Sequence, residues 1–252
     1  MKDIYLKDLK ENGYICLENI IPKILIKENL IKISEIGGHL VKNFRLNKMK
    51  DVKAANKKNF FKIIGRNNYL YKFALLNNLN KLAKKIGCKS PIIGPSYCRV
   101  DIPLEKEHKF DWHQDYPNLL GSLNMFTYWI PLTNVSSYTG SIEVLEKSHK
   151  LEIFKCYPKD KKNKYNSSNM VIPNKIISNL NLKSKIMKLN IGDLLILHPL
   201  LVHRSHYNPN SQTVRYTNII RLDDASDKKH LLRGFKRFDL DLKNINYFQN
   251  YK

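Results

Sequence analysis

Asp111-Trp112-His113-Gln114-Asp115-Tyr116-Pro117 carries an imidazole and a carboxylate two residues apart. On a β-strand that spacing turns both side chains to one face. A histidine and an aspartate side by side suit a divalent metal. They supply two of the three protein ligands of a 2-His-1-carboxylate triad, the arrangement that leaves positions open on a non-haem Fe(II). The second histidine has to come from elsewhere in the fold. About 90 residues on, the stretch Gly192 to Ser205 offers His198 and His203, with His206 just beyond. In an antiparallel barrel the strand carrying the third ligand runs beside the one carrying His113 and Asp115. His203 follows the apolar Leu200-Leu201-Val202 and precedes the polar Asn208-Pro209-Asn210 turn, a reasonable strand-end position. His198 ends the preceding strand and His206 lies nearer the turn, so spacing prefers His203 only modestly and all three stay open.

The elements that hold these residues fall into two kinds. Residues 1–90 read as helical, with a short strand at Gly13 to Leu17 and a helix opened by Pro22 and closed by Gly37-Gly38. A polar Lys/Asn-rich loop follows at 46–59, then a second helix from about Asn68 to Ile86 stopped by Gly87. From residue 91 the character changes to short strands between turn signals. The runs Ser96 to Ile102, Leu123 to Leu132, Ser141 to Glu146, Lys185 to Leu189, Leu194 to Leu197 and Thr213 to Arg221 are strand-like, and His113 with Asp115 is read as a strand of its own. Residues 155–182 show little pattern and read as a long insertion, a candidate lid. Helices followed by such strands predict a mainly β (α+β) fold: a double-stranded β-helix of the jelly-roll, cupin-like kind with N-terminal helices packed on one side. No composition break divides residues 1–252, so a single domain is expected, its core at 91–222 and a charged, then aromatic, tail at 223–252.

Composition narrows the function classes. Hydrophobic residues make up 42% of the 252, enough for a packed core. Lys+Arg 44 against Asp+Glu 22 leaves a net charge of +22 that would attract anions. The lysines are scattered, and no stretch interleaves aromatic with basic residues as a nucleic-acid stacking platform would. The expectation is therefore no nucleic-acid partner, with a small-molecule substrate favoured. Cys16, Cys88, Cys98 and Cys156 form no C-x-x-C pair and no disulfide framework. No apolar leader and no membrane-length run is present, and a cytoplasmic protein with reduced thiols is expected.

Trp112-His113-Gln114-Asp115, Gly140-Ser141-Ile142 leading to Ser148-His149, Gly192-Asp193, His203-Arg204-Ser205 with Asn208, and finally Arg215 occur in that order over residues 95–222. This series resembles the phytanoyl-CoA dioxygenase family of Fe(II)- and 2-oxoglutarate-dependent oxygenases. The resemblance implies that His113, Asp115 and His203 hold iron and that Arg215 pairs with the distal carboxylate of 2-oxoglutarate. It implies that Ser205 hydrogen-bonds the same carboxylate and that Trp129 lines the cosubstrate pocket. Fe(II), 2-oxoglutarate and O₂ would then be needed, with succinate and CO₂ released as a substrate C–H is oxidised. Related halogenases have a small residue in place of Asp115, so its carboxylate implies hydroxylation. Two positions depart from the pattern: Lys147 stands where the family often has glycine, and Arg215 is one residue further from the histidine than in some relatives.

Other readings compete. Desaturation or epimerisation at the same iron is one, and a catalytically vestigial cupin-like binding protein is another. Ser148 and His149 are expected to shape a turn, and Arg99, Arg204 and Arg221 serve equally as anion contacts or as paired strand residues. The sequence leaves the oligomeric state and the primary substrate open.

Overall fold

A computed structural model of the protein describes residues 2–103, 105, 109–119, 121–159 and 170–232. Helix α1 (Lys2–Asn12) turns at Gly13 into strand β1 (Tyr14–Leu17). Gly13 has φ +84°, and a Cβ there would lie 2.5 Å from the His149 ring, so both the turn and the close approach require glycine. Helix α2 (Lys23–Leu40) buries Ile26, Asn29, Ile33 and Gly37 at helical spacing. It runs past the Gly37-Gly38 pair expected to end it. A Cβ at Gly37 would come within 2.3 Å of the Phe44 ring, so this glycine serves packing rather than termination.

The region 46–59, expected as a loop, is a 3₁₀ segment (Leu46–Asp51) followed by helix α3 (Ala54–Ile64). Lys48, Lys53, Lys58 and Asn59 are exposed, while Phe60 and Ile64, four apart, carry the buried face. The single helix expected over 68–86 is two, α4 (Tyr69–Ala74) and α5 (Asn77–Ile86). Apolar residues repeating every three positions drift off a helix of about 3.6 residues per turn, and the chain breaks at Leu75-Leu76. Gly87 stops α5 with φ +120°, as expected.

Strands β2 (Pro91–Ile93) and β3 (Tyr97–Asp101) come next. The strand expected to carry both His113 and Asp115 is not formed. His113 makes an isolated antiparallel bridge to His203, and Asp115 opens a short helix, α6 (Asp115–Leu119). Pro117 disfavours strand pairing but fits a first helical turn, where the Asp115 carboxylate is also favoured. The remaining elements are β4 (Phe126–Pro131), β5 (Ser141–Leu145), β6 (Tyr157–Pro158), β7 (Met170–Val171), helix α7 (Asn174–Asn179), β8 (Ser184–Ile186), β9 (Leu194–Leu197), β10 (His203–His206), β11 (Arg215–Asp224) and helix α8 (Lys228–Leu232). The segment expected to be an unpatterned insertion thus holds the β6–β7 pair and α7. Its residues 160–169, tail residues 233–252, and residues 104 and 106–108 of the loop before His113 lie outside the described residues.

One antiparallel sheet runs β1-β9-β4-β11-β2, with β3 also paired to β11, and a second runs β10-β5-β8. Alternation along the strands sorts their side chains. Tyr128, Ile130, Ile196 and Ile220 pack with Ile26, Ile33, Phe60, Phe73 and Leu79 of the helices. Trp129, Leu195, Leu197 and Ile219 face the other way and pack with Ile142 and Val144 of the second sheet. All ten residues of β11 are buried, because helices cover one face of its sheet and the second sheet covers the other. Lys147, at the position where the family resemblance expects glycine, has φ +67°. A left-handed conformation there explains why glycine would suit it.

Candidate metal centre

Two backbone hydrogen bonds set the centre. The His113 N–H donates to the His203 carbonyl and the His203 N–H donates to the His113 carbonyl, each at 3.0 Å. Two histidines far apart in sequence therefore face one another as a hydrogen-bonded antiparallel pair, their ring centroids 4.2 Å apart. Each Nδ1 lies against a backbone carbonyl, Asp111 at 2.7 Å for His113 and Leu201 at 2.9 Å for His203. A carbonyl only accepts, so Nδ1 carries the hydrogen in both rings and Nε2 keeps its lone pair. Asp115 completes the group: one ligand atom from each of the three residues lies within 4.8 Å of the others. Among the described residues no other group of three His, Cys, Asp or Glu side chains converges this way.

Of the three histidines left open by spacing, the structure brings His203 beside His113 and Asp115. His198 lies with His149, ring centroids 5.1 Å apart, and its Nδ1 accepts from the Leu200 N–H. His206 ends β10 with its Nε2 3.3 Å from the Ser137 carbonyl.

Both Asp115 oxygens are held from outside the triad. Thr127 donates its hydroxyl to Oδ2 at 2.6 Å, and the Arg221 guanidinium donates to Oδ1 at 3.1 Å. Burial alone would raise the Asp115 pKa, but Arg221, His203 and His113 overcome it and hold the carboxyl well below the usual range. Burial pushes His113 down to about 3 and His203 down as well, so both rings stay neutral, the form that binds a metal. His198 is pushed down to about 4, again by burial. An unfolded histidine takes its proton near pH 6.5, whereas these folded ones do so only at lower pH, so acid favours the unfolded state across the interval. The metal-free protein should therefore show a falling melting temperature between about pH 7 and pH 5. A flat or rising profile by circular dichroism would contradict the burial of these rings.

A cavity of about 340 Å³ opens beside the triad, lined among others by Tyr97, Arg99, Trp129, Ser205, Arg215 and Arg221. Arg215, at the start of β11, stands directly opposite Asp101 of β3 and donates to it from Nη2 at 2.6 Å and from Nε at 3.1 Å. Its Nη1 is buried with no hydrogen-bond partner among the described residues. The Arg215 guanidinium also lies 5.8 Å from the Trp129 ring centroid, and Trp129 belongs to the core between the sheets. The Ser205 Oγ accepts from Arg99 Nη2 at 2.9 Å and from the Phe110 N–H at 3.1 Å, which leaves its own hydrogen for an acceptor. Arg99 and Arg204 are paired, with Asp101 and Glu143 respectively. Arg204 also stacks on Trp112, 4.3 Å from the ring centroid.

Thr127 and Asp101 are the residues that motif reading missed, and Gln114, named there only as part of the motif, has a role it did not assign. Gln114, between the two ligand positions, is fully buried. Its amide donates to the carbonyls of Leu200 (2.9 Å) and Glu152 (3.2 Å) and accepts from the Phe154 N–H (2.9 Å). It ties the ligand segment to both the chain before His203 and the start of the 152–182 region. Gln114→Leu keeps the volume and leaves those backbone groups unpaired, so stability in urea should drop by about 2–4 kcal/mol. A change under about 0.5 kcal/mol, within the usual range of a surface substitution, would mean that water replaces the amide.

Comparison with known proteins completes the picture. The family profile described as phytanoyl-CoA dioxygenase (PhyH) matches residues 9–216. The chain belongs to the phytanoyl-CoA dioxygenase family. No curated protein sequence matches it. Solved structures with a similar fold include the epimerase SnoN in complex with Fe3+, alpha ketoglutarate and nogalamycin RO (TM-score 0.65, 15% identity, covering 89% of this chain and 84% of that one). The non-heme monooxygenase ThoJ matches with a TM-score of 0.64 and 13% identity over 87% of this chain and 77% of its own. EctD from S. alaskensis, solved with 2-oxoglutarate and 5-hydroxyectoine, gives 0.61 and 15% over 88% and 76%. At such identities the likeness is one of fold, and it agrees with the mainly antiparallel architecture of this PhyH-family chain. Among the described residues no helix is long and apolar enough to cross a membrane.

Proposed function

We propose that this chain is an Fe(II)- and 2-oxoglutarate-dependent oxygenase that hydroxylates a C–H bond of a small metabolite, built as one domain on a double-stranded β-helix. The observation that carries the reading is the pair of buried imidazoles whose Nδ1–H groups are fixed by backbone carbonyls, leaving both Nε2 lone pairs beside the Asp115 carboxylate. Two neutral nitrogens and one carboxylate suit a divalent iron and leave positions for a chelating cosubstrate and O₂. Bound iron supplies O₂ activation coupled to the conversion of 2-oxoglutarate to succinate and CO₂, with one oxygen atom passing to the substrate as R–H becomes R–OH.

His113, Asp115 and His203 would hold the metal. Arg215, with its Nη1 unmatched and buried, offers a charged donor for the distal carboxylate of 2-oxoglutarate. The Ser205 hydroxyl offers a second, and Trp129 would wall the same end of the cavity. Asp101 keeps Arg215 aimed by holding its other two donors. The cavity opens to solvent while His113, Asp115 and His203 are buried in its wall, so a bound substrate would cover the oxidising centre. Epimerisation or another oxidation at the same iron is the second reading, favoured by relatives of the same fold described as an epimerase and a carbocyclase.

Anaerobic titration of metal-free protein with Fe(II) and then 2-oxoglutarate tests the reading. A weak visible charge-transfer band is expected, followed by succinate release once O₂ and substrate mixtures are admitted. Folded, metal-loaded protein that gives no band and no succinate would leave a binding module in its place.

A further inference from the structure

We infer that Arg221 is a positioning residue that sets the charge of the centre, making it discriminate against a bare divalent cation and in favour of a cation already matched by a dianionic cosubstrate. The inference rests on the oxygenase reading above and concerns the same site.

Arg221 lies near the middle of β11 with its side chain buried at 8% exposure, and Asp115 is equally enclosed. Its Nη2 donates to Asp115 Oδ1 at 3.1 Å, its Nη1 donates to the Pro95 carbonyl at 3.0 Å, and its guanidinium lies 5.4 Å from the Tyr97 ring centroid. These contacts hold the cation in one place, against the Asp115 carboxylate and in the lining of the same cavity as the three candidate ligands. A guanidinium stays charged at any workable pH. Asp115 and Arg221 therefore cancel, His113 and His203 are neutral, and the same cavity is lined by Arg99 and Arg215, which share the single carboxylate of Asp101, so the lining is cationic overall. A divalent ion alone brings +2 among these buried side chains, where Coulomb interactions are less screened than in water. A dianionic cosubstrate offsets that added charge.

Partners of metal ligands commonly accept a hydrogen bond from the ligand and raise its basicity, and losing one weakens metal binding by about 10–100-fold. Those partners serve histidine ligands; a carboxylate ligand can only accept, and the partner of Asp115 carries a full positive charge as well. As a donor and a cation Arg221 lowers the basicity of Asp115 and repels the metal. Its removal should strengthen binding of the ion alone and weaken binding of the dianion that follows. A residue that only supported the fold would shift both in the same direction.

The test uses the full chain, with Co(II) as metal probe and 2-oxoglutarate as dianion, both followed by visible absorption and calorimetry. Wild type must first bind Co(II) and then 2-oxoglutarate. Failure of either step removes the oxygenase reading itself and this inference with it. Given both steps, Arg221→Gln is expected to bind Co(II) several-fold to about tenfold tighter and then 2-oxoglutarate about tenfold more weakly, with Arg221→Lys close to wild type in both. Opposite shifts in the glutamine variant, reversed by lysine, support the inference. Both affinities falling together, or neither moving, in folded Arg221→Gln would overturn it. Should the glutamine variant fail to fold, Arg221→Lys decides alone: retained affinities support the role of charge, and a tenfold loss of Co(II) binding in folded protein overturns it.

Discussion

Asp115→Ala should abolish Co(II) or Fe(II) binding and unfold the protein more easily, two effects with one cause. The carboxylate is a proposed metal ligand, and it is also the counter-ion of a buried arginine. Its loss strands the Arg221 cation in the interior, and breaking a buried pair from one side costs about 3–5 kcal/mol. That is a large share of the stability of a domain, which is typically about 5–15 kcal/mol. Urea denaturation of metal-free protein would measure it. The double variant Asp115→Ala/Arg221→Met separates the roles: much of the lost stability should return because no charge is left unpaired, while metal binding stays absent. If Asp115→Ala alone retains full metal affinity, the triad is assigned to the wrong carboxylate.

Arg215→Ala should leave metal binding close to wild type while 2-oxoglutarate affinity falls about 100-fold. A hydrogen bond between charged partners contributes about 1.5–3 kcal/mol, and each 1.4 kcal/mol is tenfold in affinity. The fold should tolerate the change better than it tolerates loss of Asp115. Asp101 keeps its second partner, Arg99, whose Nη2 donates at 2.7 Å and whose Nε donates at 2.9 Å. Calorimetric titration into Co(II)-loaded protein would read the effect. Unchanged 2-oxoglutarate binding would show that the buried Nη1 faces some other acceptor and that the cosubstrate enters elsewhere.

The sequence made the chemistry more legible than the scaffold. His113 and Asp115 could be named because ligand types two residues apart are a local pattern, yet the strand drawn beneath them was wrong. The segment needs only one bridge, at His113, after which Pro117 and the Asp115 carboxylate favour a helix. Alternation locates β3, β5 and β11, and continuous strand-like or apolar runs locate β4 and β9, because both patterns are local too. The partners were not local. Thr127 reaches Asp115 through a turn of the chain, and Asp101 meets Arg215 through pairing of β3 with β11, which no single strand records. Arg221 was readable only as a cation that could serve a substrate or a neighbour, and its neighbour is the proposed metal ligand. Helix α3 was hidden for a different reason: its lysines and asparagines outnumber the two apolar residues that anchor it.

The reciprocal backbone bonds between His113 and His203 bear on how such a centre tolerates change in the rest of the chain. Because the pair is held main chain to main chain, the distance between the two rings does not depend on the length of the polypeptide joining them. Loops between residues 119 and 200 can change length without moving either nitrogen, provided that β5, which pairs with β10, keeps its register. A one-residue slip of β10 against its partners would instead bring Val202 or Arg204 opposite His113 and erase the centre at a stroke. Variation in loop length is thus a permissive route for altering what enters the cavity, while single insertions inside His203–His206 are a forbidden one.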